Sequence, residues 1–294
     1  MIVYGTKINS DIDFLLDFSQ ETETRQEIEL SSKVPESLKK SITSGIPLFF
    51  SHNRYINLYS DRQMDENIVG QPWCYEVQDI ATFYWVSGQK IIYYNLEKSG
   101  SMELLVFWFV HQILPLWLTL EGYYDFIHAG SVEIEGKIVA FIAPSMGGKS
   151  TLTDYFIRQG HPLVTDDKLP TFFEQGHFMA VGSHPYHRPF REFEVFGYHV
   201  KKFMKRSDEI RAFYLLEQGE LESETRIEEI TGYEKFDLLQ PSYLYEFSFL
   251  RLGRLRYLGR MLDSLKVYRV TRPWNLEKLP EVYEAIHGHI RRLG

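Results

Sequence analysis

The chain has one cysteine, Cys74, so an internal disulfide is excluded and a reducing, cytoplasmic setting is expected. Positive charge is also scarce. The 32 Lys and Arg stand against 40 Asp and Glu, a formal net charge of −8, which argues against a nucleic-acid binder with its basic balance or stripe. The longest apolar stretch, 104–120, is 17 residues long and carries His111, Gln112, Pro115 and Thr119. It falls short of a comfortable membrane span and predicts a buried helix kinked at Pro115. The first seven residues hold too short an apolar stretch to predict a signal peptide, and no internal repeat or low-complexity linker interrupts the chain. The 294 residues are 44% hydrophobic and 15% aromatic, which suffices for a substantial core in one large domain or two moderate ones.

Two regions are expected. Residues 1–103 contain short aromatic and β-branched runs at 46–50, 55–59 and 82–86, the last pairing with 90–94 across Ser-Gly-Gln as a hairpin. This part reads as β-rich. The second region, 104–294, opens with the buried helix at 104–120. It continues with a hairpin of 168–173 and 177–181, a helical pattern over 243–265, a strand at 267–270 and a helix opened by Pro280 over 280–292.

The most informative segment is 143–151: Ala143, Pro144, Ser145, Met146, Gly147, Gly148, Lys149, Ser150 and Thr151. An apolar run, Ile-Val-Ala-Phe-Ile at 138–142, precedes it and a helix-like stretch at 152–157 follows. Strand, small-residue loop and helix in this order make a phosphate-binding P-loop. In such a loop the backbone N–H groups and the helix N-terminus face the phosphates, Lys149 adds a mobile positive charge, and the Ser150 hydroxyl can ligate Mg²⁺. The chemistry implied is the handling of a nucleoside triphosphate.

Downstream, Gly160 is a C-cap candidate, and 161–165 runs extended into Asp166 and Asp167. Beside a P-loop, one carboxylate can bind the metal carried by a triphosphate and the other can accept a proton from an attacking hydroxyl. Alone, the same residues would make an ordinary turn. Segment 184–191 is rich in donors. His184 and His187 there lack helical metal-ligand spacing, while Arg188 and Arg191 are candidates for phosphate or carboxylate recognition. Arg251, Arg254, Arg256 and Arg260 form either a solvated face or an anion site, for a nucleotide of this or a neighbouring subunit in a homo-oligomer or for an acidic peptide.

Residues 127–130 (Ile-His-Ala-Gly), the strand-loop-helix segment and 158–167 (Arg-Gln-Gly-His-Pro-Leu-Val-Thr-Asp-Asp) resemble the catalytic core of the HPr kinase/phosphorylase family and its shorter kinase relatives. The similarity is strongest over 126–185. The length, the Ala-Pro-Ser opening of the loop and the Thr-Asp-Asp ending look most like kinases that accompany peptide-modification clusters, including those acting on lasso-peptide precursors.

The resemblance implies an α/β fold: an HPr kinase C-terminal-like P-loop core, related to the PEP carboxykinase-like nucleotide-binding fold, behind a β-rich N-terminal region. It implies ATP and Mg²⁺ as cofactors and phosphorylation of a serine hydroxyl on a peptide or protein, an HPr-like protein and free serine being the alternative acceptors. No nucleic-acid or membrane partner is implied. Residue by residue, it makes the 143–151 loop and Lys149 phosphate ligands, and Ser150, Asp167 and Glu192 metal ligands. Asp166 becomes the general base, with His128 beside the aspartate pair. Read without the family, His128 would be a satisfied buried histidine. A plain P-loop NTPase or nucleotide-controlled binding module is the reading from a different class. Met146 stands where many relatives have Gly, so a left-handed backbone there would carry strain.

Overall fold

The computed structural model describes residues 1–293 apart from 13, 15, 19–20, 43, 52–53, 63–66, 190–192 and 246, with the side chains of 44–51 and 248 also left out. The chain forms two compact units. The first comprises Met1–Tyr124, Glu192–Phe196 and Phe247–Arg251, and the second Asp125–Arg191, Gly197–Glu246 and Leu252–Gly294.

The first unit is built on eight strands: β1 (Ile2–Val3), β2 (Thr6–Ser10), β3 (Gln26–Ser31), β4 (Ser44–Ser51), β5 (Arg54–Ser60), β6 (Pro72–Val77), β7 (Ala81–Val86) and β8 (Ile91–Leu96). Their order is β1-β2-β3-β8-β7-β6-β5-β4. The expected hairpin is present, with Trp85 opposite Ile92 in β7 and β8. A short helix, α1 (Glu36–Ser41), precedes β4. The apolar stretch is helical in three pieces: α2 (Met102–Trp108), a π-helical turn Phe109–Ile113 and α3 (Leu114–Leu120). The π turn ends just ahead of Pro115, which cannot donate to the carbonyls of the preceding turn, so the ladder of this continuous helix is altered there. By length and composition Met102–Leu120 could cross a membrane, but 83% of that window is buried inside the protein. It is a core helix. The domain boundary lies after Tyr124 rather than before residue 104, because Phe109 stacks on Phe83 of β7 and Phe107 packs on Phe196 within the first unit.

The second unit carries β9 (Asp125–His128), β10 (Gly130–Ile134), β11 (Lys137–Ile142), β12 (Leu163–Thr165), β13 (Lys168–Glu174), β14 (His177–Ala180), β15 (Tyr186–His187), β16 (Tyr198–His199), β17 (Asp208–Gly219), β18 (Arg226–Ile230) and β19 (Lys266–Pro273). The main sheet runs β12-β10-β11-β17-β14-β13-β9, with β19 paired to both β17 and β18. β11, β17 and β19 are parallel neighbours. Its helices are α4 (Lys149–Arg158), α5 (Tyr233–Leu239), α6 (Arg251–Ser264), whose first residue groups with the other unit, and α7 (Leu279–Arg292).

β11 is apolar throughout because both of its faces are covered. Ile138, Ala140 and Ile142 join a core with Leu239, Leu258 and Met261. Val139 and Phe141 join another with Leu152, Phe156, Val282, Ile286 and Ile290. The last three recur every four residues, the spacing of one helix face. The β13–β14 hairpin and α7 lie where the sequence put them. The helical pattern over 243–265 does not hold at its start: Tyr243 bridges Ile127 and Leu244 donates its N–H to Phe126, so helix α6 begins only at Arg251.

Candidate active site

The loop after β11 turns on two left-handed residues, Met146 (φ 63°) and Gly148 (φ 79°). Met146 therefore bears the backbone that the sequence flagged, and its side chain gains no packing in return, being 91% exposed. The Gly147 N–H closes on the Pro144 carbonyl at 2.9 Å, and α4 starts at Lys149. Ser150 and Thr151 follow, both half-buried.

Lys149 is buried and folds back over its own loop. Its Nζ donates to the Ala143 carbonyl at 3.1 Å and meets His128 Nε2 at 3.0 Å. An ammonium can only donate, so Nε2 accepts and a neutral His128 carries its proton on Nδ1. Nδ1 in turn lies 3.2 Å from Asp167 Oδ1, within ion-pair distance though off the line of a hydrogen bond. The approach follows from the sheet: His128 ends β9 opposite Lys168, the first residue of β13, and the Ala129 N–H donates to the Asp167 carbonyl. Burial raises the Asp167 pKa, but the neighbouring His128 imidazole and the charges of Lys168, Arg188 and Lys149 outweigh it and hold the carboxyl below its ordinary value.

Asp166 faces different neighbours. Its side chain is 9% exposed, against 32% for that of Asp167. Its Oδ1 lies 2.6 Å from Nδ1 of the fully buried His187, within ion-pair distance though off the line of a hydrogen bond. Its Oδ2 accepts the Arg188 N–H at 3.3 Å, with Arg188 Nε at 3.6 Å. The other ring nitrogen of His187 is 3.7 Å from Asp154 of α4, which also accepts from the Tyr198 hydroxyl at 2.6 Å and pairs with Arg158 at 2.7 Å. This second network ties the β15–β16 arm to α4 and to Asp166.

Lys149, His128 and Asp167 thus come together at the loop, while Asp166 and Arg188 join each other beside them. Arg191 and Glu192 lie outside the described residues. In the stretch that follows, Glu194 accepts from Arg54 and Trp108, and Phe196 packs on Phe18 and Phe107, all within the first unit. Arg254 sits over the Tyr243 ring near Asp125, and Arg260 over Phe173. Among the described residues, no group of three or more His, Cys, Asp or Glu side chains is arranged to hold a metal ion. The oxygen donors of the kind Mg²⁺ prefers beside a nucleotide's phosphates are the Ser150 hydroxyl and the ionised Asp167, the latter able to serve as metal ligand or as base but not as both at once. Three further residues, Asp154, Arg272 and Trp274, lie near the site without belonging to any motif in the sequence. Arg272 Nη2 donates to the Gly147 carbonyl at 2.9 Å.

No family model matches the chain, and no curated protein matches it. Among solved structures it is similar to the HPr(Ser) kinase/phosphatase from Coxiella burnetii, with 14% identity and a TM-score of 0.33 over 58% of this chain and 99% of that one. Likeness of that extent says nothing about chemistry, which rests on the side chains just described.

Proposed function

We propose that the second unit is a nucleotide-dependent kinase that transfers the γ-phosphoryl of ATP to a serine hydroxyl on a peptide or protein. One observation carries the reading: the loop lysine, a histidine and a partly exposed carboxylate adjoin one another, Lys149 Nζ 3.0 Å from His128 Nε2 and His128 Nδ1 3.2 Å from Asp167, at the end of a strand-loop-helix unit. The loop amides and the N-terminus of α4 take the phosphates, and Lys149 leaves its Ala143 carbonyl to neutralise them. Asp167 accepts the proton of the incoming hydroxyl, and His128 orients it through Nδ1. We assign the base to Asp167 and not to Asp166, because Asp166 is closed off by His187 and Arg188. Mg²⁺, held by Ser150 and the nucleotide, would supply charge neutralisation on the phosphates.

A plain NTPase would need only to position water, a task a carboxylate beside the loop could also serve, so the two readings separate on whether an acceptor is modified. The acceptor ranked first is a ribosomal precursor peptide of the lasso type, with an HPr-like protein and free serine behind it. The test incubates the purified protein with Mg-ATP and each acceptor, followed by mass spectrometry. Phosphoserine on one acceptor supports the kinase. ATP hydrolysis with every acceptor unmodified favours the NTPase instead.

A further inference from the structure

The connection after β19 adds a feature that phosphate chemistry does not require. Arg272 is 7% exposed, yet among the described residues no carboxylate pairs with it, and its Nε has no hydrogen-bond partner. A guanidinium buried in this way is costly unless something fixes it. Two contacts do: Nη2 holds the Gly147 carbonyl, and the guanidinium lies over the indole of Trp274 with its carbon 5.0 Å from the ring centroid. The indole also borders the loop, since a Cβ placed on Gly148 would stand 3.6 Å from Trp274 Cζ3.

Of the five tryptophans, four are fully buried in the first unit, whereas Trp274 is 40% exposed. Leu276, two residues on, is 74% exposed. A large aromatic left open to solvent next to a phosphate-type loop, clamped from one side by an arginine bonded to that loop, is a flat surface at a fixed position. Nucleobases stack on such surfaces.

We infer that Trp274 is the stacking platform for the base of the nucleotide, and that Arg272 sets its position by joining the indole to the Gly147 carbonyl. This rests on the reading of the 143–151 loop as the phosphate site. It adds that the ligand is a nucleoside triphosphate recognised through its base, and not only a chain of phosphates.

The experiment is calorimetric titration of the full chain in Mg²⁺ with ATP and, separately, with inorganic tripolyphosphate. It compares the natural protein with Trp274→Ala, Trp274→Phe and Lys149→Ala. Loss of the ring should weaken ATP binding about tenfold, leave tripolyphosphate within about twofold, and be largely restored by Phe, as base-aromatic stacking requires. ATP should also quench the exposed tryptophan emission of the natural protein and not that of Trp274→Phe. If Trp274→Ala binds ATP normally, or loses both ligands equally, while Lys149→Ala loses both, the platform is wrong and the loop reading stands. If the natural protein binds neither ligand, both fall together.

Discussion

Asp166 and Asp167 are neighbours in the chain whose carboxylates serve separate networks, Asp166 Oδ1 lying 2.6 Å from His187 and Asp167 Oδ1 lying 3.2 Å from His128. One binds the protein to itself, and the other faces the loop. The division predicts that substitutions at these two positions fail in different ways.

For Asp167→Asn, the fold and nucleotide binding should persist, because the change is nearly isosteric and the side chain is a third exposed. Phosphoryl transfer should fall at least about 100-fold, the lower range for loss of a general base. Lys149→Ala should instead lose nucleotide affinity. Calorimetry with ATP, run beside phosphopeptide mass spectrometry, separates the two, and full turnover by Asp167→Asn would remove it as the base.

Asp166→Asn should act on stability. It removes the charge facing His187 and Arg188 in a buried setting, which costs about 3–5 kcal/mol when a partner is lost. Turnover per folded molecule should stay within about threefold, measured well below the melting temperature. A variant that melts normally yet cannot transfer phosphate would return the base assignment to Asp166.

Much of this arrangement is legible in the sequence, and what is not has a physical reason. The strand-loop-helix unit declares itself because 138–142 is apolar on both faces and the small residues of the loop interrupt it abruptly. The β7–β8 and β13–β14 hairpins and the Pro280 helix depend on neighbours in the chain. The aspartate pair is visible too, but not which of the two faces the loop. That depends on β9 delivering His128 opposite Lys168, a pairing across 40 residues. The same holds for Tyr243, whose backbone joins Ile127 instead of entering a helix. It holds again for Arg272, whose partner carbonyl lies 125 residues away.

Backbone geometry in the loop gives a third prediction. Gly148→Ala would drive a Cβ into Arg272 Nη2 at a residue with φ 79°. Strain of about 1–2 kcal/mol for the left-handed conformation should combine with displacement of the arginine. At Met146 the side chain contributes no packing, so Gly should be tolerated, the relief of strain being offset by a more flexible unfolded chain. A β-branched Val should melt lower than either, by about 1 kcal/mol. Thermal melts of Met146→Gly, Met146→Val and Gly148→Ala give the order, and equal stability of all three would show that the loop does not adopt this backbone.

The last prediction is acid lability centred on His184. Its Nδ1 faces the Tyr186 N–H at 3.4 Å, an arrangement that needs a neutral ring. Burial, and then the charge of Arg188, push its pKa down to about 3. The unfolded imidazole takes a proton near pH 6.5, so between about 6.5 and 3 the unfolded state binds more protons than the folded one. Stability is therefore intact above pH 6.5 and drains away as the pH falls, at up to about 1.4 kcal/mol per pH unit for this group. His184→Asn keeps an acceptor and removes the titration. Urea unfolding at pH 6.5 and 5.0 should show the natural protein losing about 1.6 kcal/mol more than the variant over that interval. Parallel losses in the two proteins would mean that His184 is not held neutral in the fold, and that the acid sensitivity belongs to other groups.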